Sequence, residues 1–108
     1  MVASKTSDHP SAIVREEDID DITKIFKAMS YSTRVRIVSI LSTTNKYTVT
    51  EIAALLAMDI SRVSHQLAKL ENMGFIKGTR DGRKIYYELQ DECIKTILRT
   101  AKNHISGR

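Results

Sequence analysis

Apolar side chains return every three or four positions from Glu16 onward. Ile19, Ile22, Ile25, Phe26 and Met29 form one stripe, with acidic residues in the first turn, where the helix dipole favours them. Ser32 or Thr33 is placed to cap a second helix with apolar positions Val35, Ile37, Val38, Ile40 and Leu41. The polar stretch 42–47 reads as a loop. Thr48 or Thr50 then caps a short helix over 51–56, and residues 58–60 make a tight connection. Ser61 caps a longer helix that ends near Met73, before Gly74, and that buries Val63, Leu67 and Leu70. There the period changes from helical to alternating. Segments 75–79 and 83–89 flank Asp81-Gly82, a hairpin signal, and Ile85, Tyr87 and Leu89 alternate with Lys84, Tyr86 and Glu88 to give one dry and one wet face. A last helix opens at Asp91 and carries Ile94, Ile97, Leu98, Ala101 and Ile105. The order α-α-α-α-β-β-α predicts a mainly α fold with a small β-hairpin (α+β). Residues 1–15, polar and aperiodic, predict a flexible N-terminal arm ahead of one domain over 16–106.

With 108 residues and 42% hydrophobic content, the chain supports one modest core. Tryptophan is absent and aromatics are 6%, so that core is aliphatic, as helices packed on helices require. No apolar run approaches the ~20 residues that cross a bilayer, and the first residues lack the apolar stretch of a signal peptide. The single cysteine, Cys93, excludes an internal disulfide, and a cytoplasmic location without membrane contact is the expectation. Charge is unevenly spread. Residues 1–30 carry four basic and six acidic groups, whereas 31–108 carry thirteen and seven, and 61–84 alone carry six and two. Basic charge gathered in one stretch of a small domain points to a polyanion.

Two short helices joined tightly and followed by a hairpin make a winged helix-turn-helix. In that arrangement a rigid helix enters the major groove and its partner crosses the backbone. Opposite the apolar stripe of the second helix stand Ser61, Arg62, Ser64, His65 and Gln66, short or bidentate hydrogen-bonding groups near a helix start that also favours phosphate. The hairpin tip adds Arg80, Arg83 and Lys84 for the flanking backbone or minor groove. These eight residues are the expected DNA contacts, with His65 serving either DNA or an internal polar network.

Three runs carry a resemblance. Phe26-Lys27-Ala28-Met29-Ser30 with Thr33-Arg34-Val35-Arg36-Ile37, then Ser61-Arg62-Val63-Ser64-His65-Gln66-Leu67, then Gly82-Arg83-Lys84-Ile85-Tyr86-Tyr87, fall in the order found in ArsR/SmtB-family repressors. The chain resembles that family over about residues 16–106. The resemblance implies a homodimeric repressor that binds an imperfect inverted repeat in double-stranded DNA and lets go when an inducer binds. The first and last helices carry more apolar surface than one small core covers. Pairing them across a two-fold axis would bury that surface and set two reading helices ~34 Å apart.

The family's inducer sites are tested one by one on these residues. A site needing Cys-x-Cys in the helix before the reading helix is excluded, because 50–56 contains no thiol. A trigonal thiolate site and a dithiol switch within one chain fall to the cysteine count. A site on the last helix, with the pattern Asp-x-His, ten residues, His, two residues, then Glu or His, finds Asp91, Cys93, His104 and Gly107 at its positions. Three of these can be ligands; Gly107 cannot. Cys93 and His104 lie ~16 Å apart along the axis, so only two antiparallel copies can close the site. Zn²⁺ suits a carboxylate, a thiolate and an imidazole, with Co²⁺, Ni²⁺ or Cd²⁺ also admitted and water, His9 or Glu16 as fourth donor. The plainer roles are a cap for Asp91, a small buried hydrophobe for Cys93 and a solvated helix end for His104. Further alternatives are a repressor that uses Cys93 as a single-thiol redox sensor, one with no small-molecule inducer, and a winged-helix module that binds protein. With no paired-carboxylate cleft, Ser/His/Asp set or Gly-rich phosphate loop, catalysis is not expected.

Overall fold

A computed structural model of the chain describes residues 12–43 and 45–107. Most of the expected arm, 1–11, lies outside the described residues, His9 included. The chain divides into two units, Met1–Ser32 and Thr33–Arg108. In the first, Arg15 pairs with Glu17 and Asp18 beside a 3-10 turn, Glu16–Asp18, that leads into helix α1, Ile19–Ala28. Helix α1 thus begins three residues later than its acidic start suggests. Of its apolar stripe, Ile22 and Ile25 are half-buried, whereas Ile19 and Phe26 are 40% and 59% exposed.

The second unit holds the core. Helix α2, Ser32–Leu41, buries Ile37, Val38 and Leu41. The segment expected to be a loop ends instead in a two-residue strand, β1, Tyr47–Thr48, a length at which alternation leaves no pattern to read. Thr48 then closes helix α3, Val49–Leu56, with a capping box. Its hydroxyl accepts from the Glu51 N–H at 3.2 Å, and Glu51 Oε1 accepts from the Thr48 N–H at 2.8 Å. Helix α4, Ile60–Asn72, buries Val63, Leu67 and Leu70, as its spacing requires. After Gly74 (φ +83), strands β2, Ile76–Asp81, and β3, Lys84–Leu89, form an antiparallel pair. Helix α5, Cys93–Ile105, follows and buries Ile94.

The order is therefore α-α-β-α-α-β-β-α, and the hairpin is part of a three-stranded sheet, β1-β3-β2. Tyr47 lies opposite Tyr87 and Thr48 opposite Tyr86, so α3 is tied to the inner wing strand through its own cap. The expected dry and wet faces of β3 do not separate: Tyr86, Tyr87, Glu88 and Leu89 are all half-buried, whereas Ile85 near the tip is exposed. Asp81 pairs with Lys84, which makes Gly82-Arg83 the turn rather than Asp81-Gly82; Gly82 (φ +68) supplies the positive angle. Burial raises the Tyr87 phenol above its ordinary range, with Glu71 adding to the shift. No helix among the described residues is long and apolar enough to cross a membrane.

Candidate nucleic-acid interface

The reading helix is capped two residues earlier than Ser61. Asp59, not Ser61, caps α4: its Oδ1 accepts from the Arg62 N–H at 3.1 Å and from the Ser61 hydroxyl at 2.8 Å. These donors hold the Asp59 carboxyl below the usual carboxylate range. Any of Ser, Thr, Asp or Asn can cap, and Asp59 takes the place expected of Ser61 two residues on.

From that start the helix sorts its side chains cleanly. Val63, Leu67 and Leu70 are completely buried, and Ser61, Arg62, Ser64 and His65 are exposed on the other side. His65 therefore does not join an internal network among the described residues. Gln66 is half-buried, and its Oε1 accepts from Arg34 Nε at 2.9 Å. Arg34, at the start of α2, carried no expectation of a role at this surface; a bond across thirty-two residues leaves no mark on local periodicity. Thr33 and Met58 join Ser61, Arg62, His65 and Gln66 around an open groove of about 250 Å³ at the helix start.

The wing stands beside this face. Glu71, in the last turn of α4, accepts the Gly78 N–H of β2 at 3.1 Å, and Phe75 N–H bonds Leu70 C=O, so wing and helix are joined at two points. Arg80, Arg83 and Lys84 are exposed at its tip, and none is in an ion pair among the described residues.

The other expected cluster is dispersed in a single chain. Asp91 Oδ1 accepts the Cys93 N–H at 2.9 Å, but the N-cap position of α5 is Glu92, without a side-chain cap, and His104 lies eleven residues beyond Cys93, ~16 Å away along the axis. No three His, Cys, Asp or Glu side chains gather as metal ligands among the described residues. Cys93 is exposed rather than a buried hydrophobe, and so is His104. The three donors are chemically competent, and Asp91 keeps its second oxygen, but they can meet only across two copies. Gly107 (φ +77) brings no side chain to the fourth position.

Residues 31–77 match the sequence profile described as bacterial regulatory protein, arsR family. The chain is 36% identical over 84 residues to the cadmium resistance transcriptional regulatory protein CadC homolog of Staphylococcus aureus, covering 78% of this chain and 69% of that protein. It is 33% identical over 95 residues to the HTH-type transcriptional regulator NmtR of Mycobacterium tuberculosis, covering 88% and 78%. The chain belongs to the ArsR/SmtB family.

The solution structure of apo-NmtR superposes on this family member with a TM-score of 0.75 at 31% identity, covering 94% of this chain and 84% of that one. The fold is the winged helix-turn-helix of the ArsR/SmtB regulators, with α3 and α4 as the helix pair and β2–β3 as the wing. The protein is a DNA-binding transcriptional repressor of this family and not an enzyme.

Proposed function

We propose that the protein represses transcription as a homodimer on an imperfect inverted repeat and is released when a divalent metal joins the two last helices. The observation that carries the DNA half of this reading is the α4 face: four exposed polar side chains over three fully buried apolar ones, flanked by exposed cations on the wing. Ser61, Arg62, Ser64, His65 and Gln66 face base edges and phosphates, while Arg80, Arg83 and Lys84 follow the flanking backbone.

Dimerisation rests on what one copy leaves uncovered. Ile19 and Phe26 on α1, and Ile105 at 83% exposure on α5, are apolar and open. Along α2 and α5 runs a groove of about 610 Å³ that includes Val35, Leu98 and Ile105. Burying such faces against a second copy is the common route to a two-fold dimer.

The inducer site takes Asp91 and Cys93 of one copy and His104 of the other. A carboxylate, a thiolate and an imidazole suit Zn²⁺ or Cd²⁺, which would supply a cross-link between the last helices. Support comes from the exposure of Cys93 and His104 and from a relative named for cadmium resistance. Water can complete the shell. The exposed Cys93 also favours one other trigger, oxidation of a single thiol per chain.

Titration of Zn²⁺, Ni²⁺ and Cd²⁺ into the protein bound to its own promoter fragment tests this. We expect metal to release the wild type, and both Cys93→Ser and His104→Ala to stay bound. Metal release undiminished in both variants would refute the α5 site. Release by peroxide that Cys93→Ser abolishes, without any metal response, would select the thiol instead.

A further inference from the structure

Gln66 stands at the edge of the α4 face, and its amide oxygen is already engaged. Arg34 Nε donates to it at 2.9 Å, joining the first turn of α2 to the middle of α4. Arginine has donors and no acceptor, so the atom opposite Nε must be the amide oxygen. The usual ambiguity of a glutamine amide is resolved here by chemistry alone. The bond is charge-assisted and part-buried, which makes it stronger than an average neutral one. The amide nitrogen consequently points away from Arg34. It has no partner among the described residues, yet no buried side-chain nitrogen there lacks one. Nε2 is therefore open to solvent, and Gln66 lines the groove shared with Thr33, Met58, Ser61, Arg62 and His65.

An unrestrained glutamine reads adenine with both ends of its amide, accepting from N6 and donating to N7. The Arg34 bond takes one of the two lone pairs of Gln66 Oε1 and fixes the orientation of the amide, so Gln66 presents its donating end first. We propose that Arg34 is a positioning residue that turns Gln66 donor-first toward the bases. Such a reader selects keto edges, guanine O6 and N7 or thymine O4. It disfavours cytosine, whose N4 amino group would meet the amide N–H donor to donor, and ranks adenine below guanine, since adenine offers N7 alone as acceptor and sets its N6 amino group against the amide N–H. This rests on α4 lying in the major groove.

The test is selection of purified full-length protein on a randomised duplex pool, with the bound fraction sequenced for wild type, Gln66→Ala, Arg34→Met, the double variant and Gln66→Glu. We expect one position per half-site to prefer a keto base, and Gln66→Ala to flatten that preference by roughly five- to tenfold. Arg34→Met should move the same position toward adenine, and should do nothing further there once Gln66 is alanine. Gln66→Glu keeps the Arg34 partner and turns an acceptor to the groove, so the preference should reverse toward adenine and cytosine. This variant guards against Arg34→Met failing to fold. A sharp wild-type profile that Arg34→Met leaves unchanged, weakens evenly at every base, or shifts equally with and without Gln66 overturns the proposal while sparing DNA reading by α4. A wild type that enriches no sequence overturns both.

Discussion

Ala57 is the one residue other than glycine, among those described, with a left-handed backbone (φ 54). It ends α3, where the Met58 N–H bonds Ala53 C=O at 3.0 Å and the Ala57 N–H bonds Ala54 C=O at 3.2 Å, a Schellman closure that fixes the turn into α4. A side chain in this region costs roughly 1–2 kcal/mol, and glycine's extra freedom in the unfolded chain returns only about half of that. Ala57→Gly should therefore stabilise the protein by about 0.5–1 kcal/mol in urea denaturation; a loss of stability would contradict the strain. Two residues on, Asp59 provides a pH signature. Its carboxyl is held below the ordinary value in the folded state, so the cap stabilises fully above about pH 4 and fades as pH falls through the lowered value. Asp59→Asn, which keeps capping ability without charge, should flatten the acid limb of a melting-temperature profile relative to wild type.

At the scale of elements, α4 separates support from contact. Leu67→Ala removes a side chain with no exposure and should cost roughly 2–5 kcal/mol. Ser64→Ala changes an exposed group and should leave thermal stability within about 0.5 kcal/mol while weakening DNA binding. Equal destabilisation by the two would mean that the helix is not oriented as described. In the wing, a Cβ on Gly78 would sit 2.9 Å from Ile85 Cγ2 and 2.9 Å from Tyr87 Cε1. We expect Gly78→Ala to cost about 1–3 kcal/mol by forcing that pair apart, with Gly74→Ala as a control for backbone angle, since open space surrounds it. Helices were legible because Val63, Leu67 and Leu70, or Ile94, Ile97 and Leu98, repeat often enough to show their period. Strand β1 was not, since Tyr47 and Thr48 span a single step of alternation and acquire strand geometry only by pairing with Tyr87 and Tyr86. The candidate DNA face was readable as a polar strip on an amphipathic helix. The Arg34–Gln66 bond was not, because local spacing carries no record of which distant side chain lies opposite.

For the whole molecule, the uneven charge becomes a measurable slope. If Arg80, Arg83 and Lys84 each neutralise a phosphate, log affinity should fall linearly with log salt. Arg83→Ala should then reduce the slope by about 1 for its one phosphate, nearly independent of base sequence. Arg62→Ala, placed among the base-facing groups, should instead alter discrimination between sequences. An unchanged slope in Arg83→Ala would remove the wing tip from the interface. On the proposed arrangement affinity and specificity fall to two parts of one chain, and those parts do not hang loosely from each other. The carboxylate of Glu71 holds the Gly78 amide, and only 73–75 separate α4 from β2. Helix and wing thus act like the jaws of a caliper set to a single opening. On the proposed DNA arrangement, a promoter that inserts one base pair between the two points of purchase should lose contact at one of them.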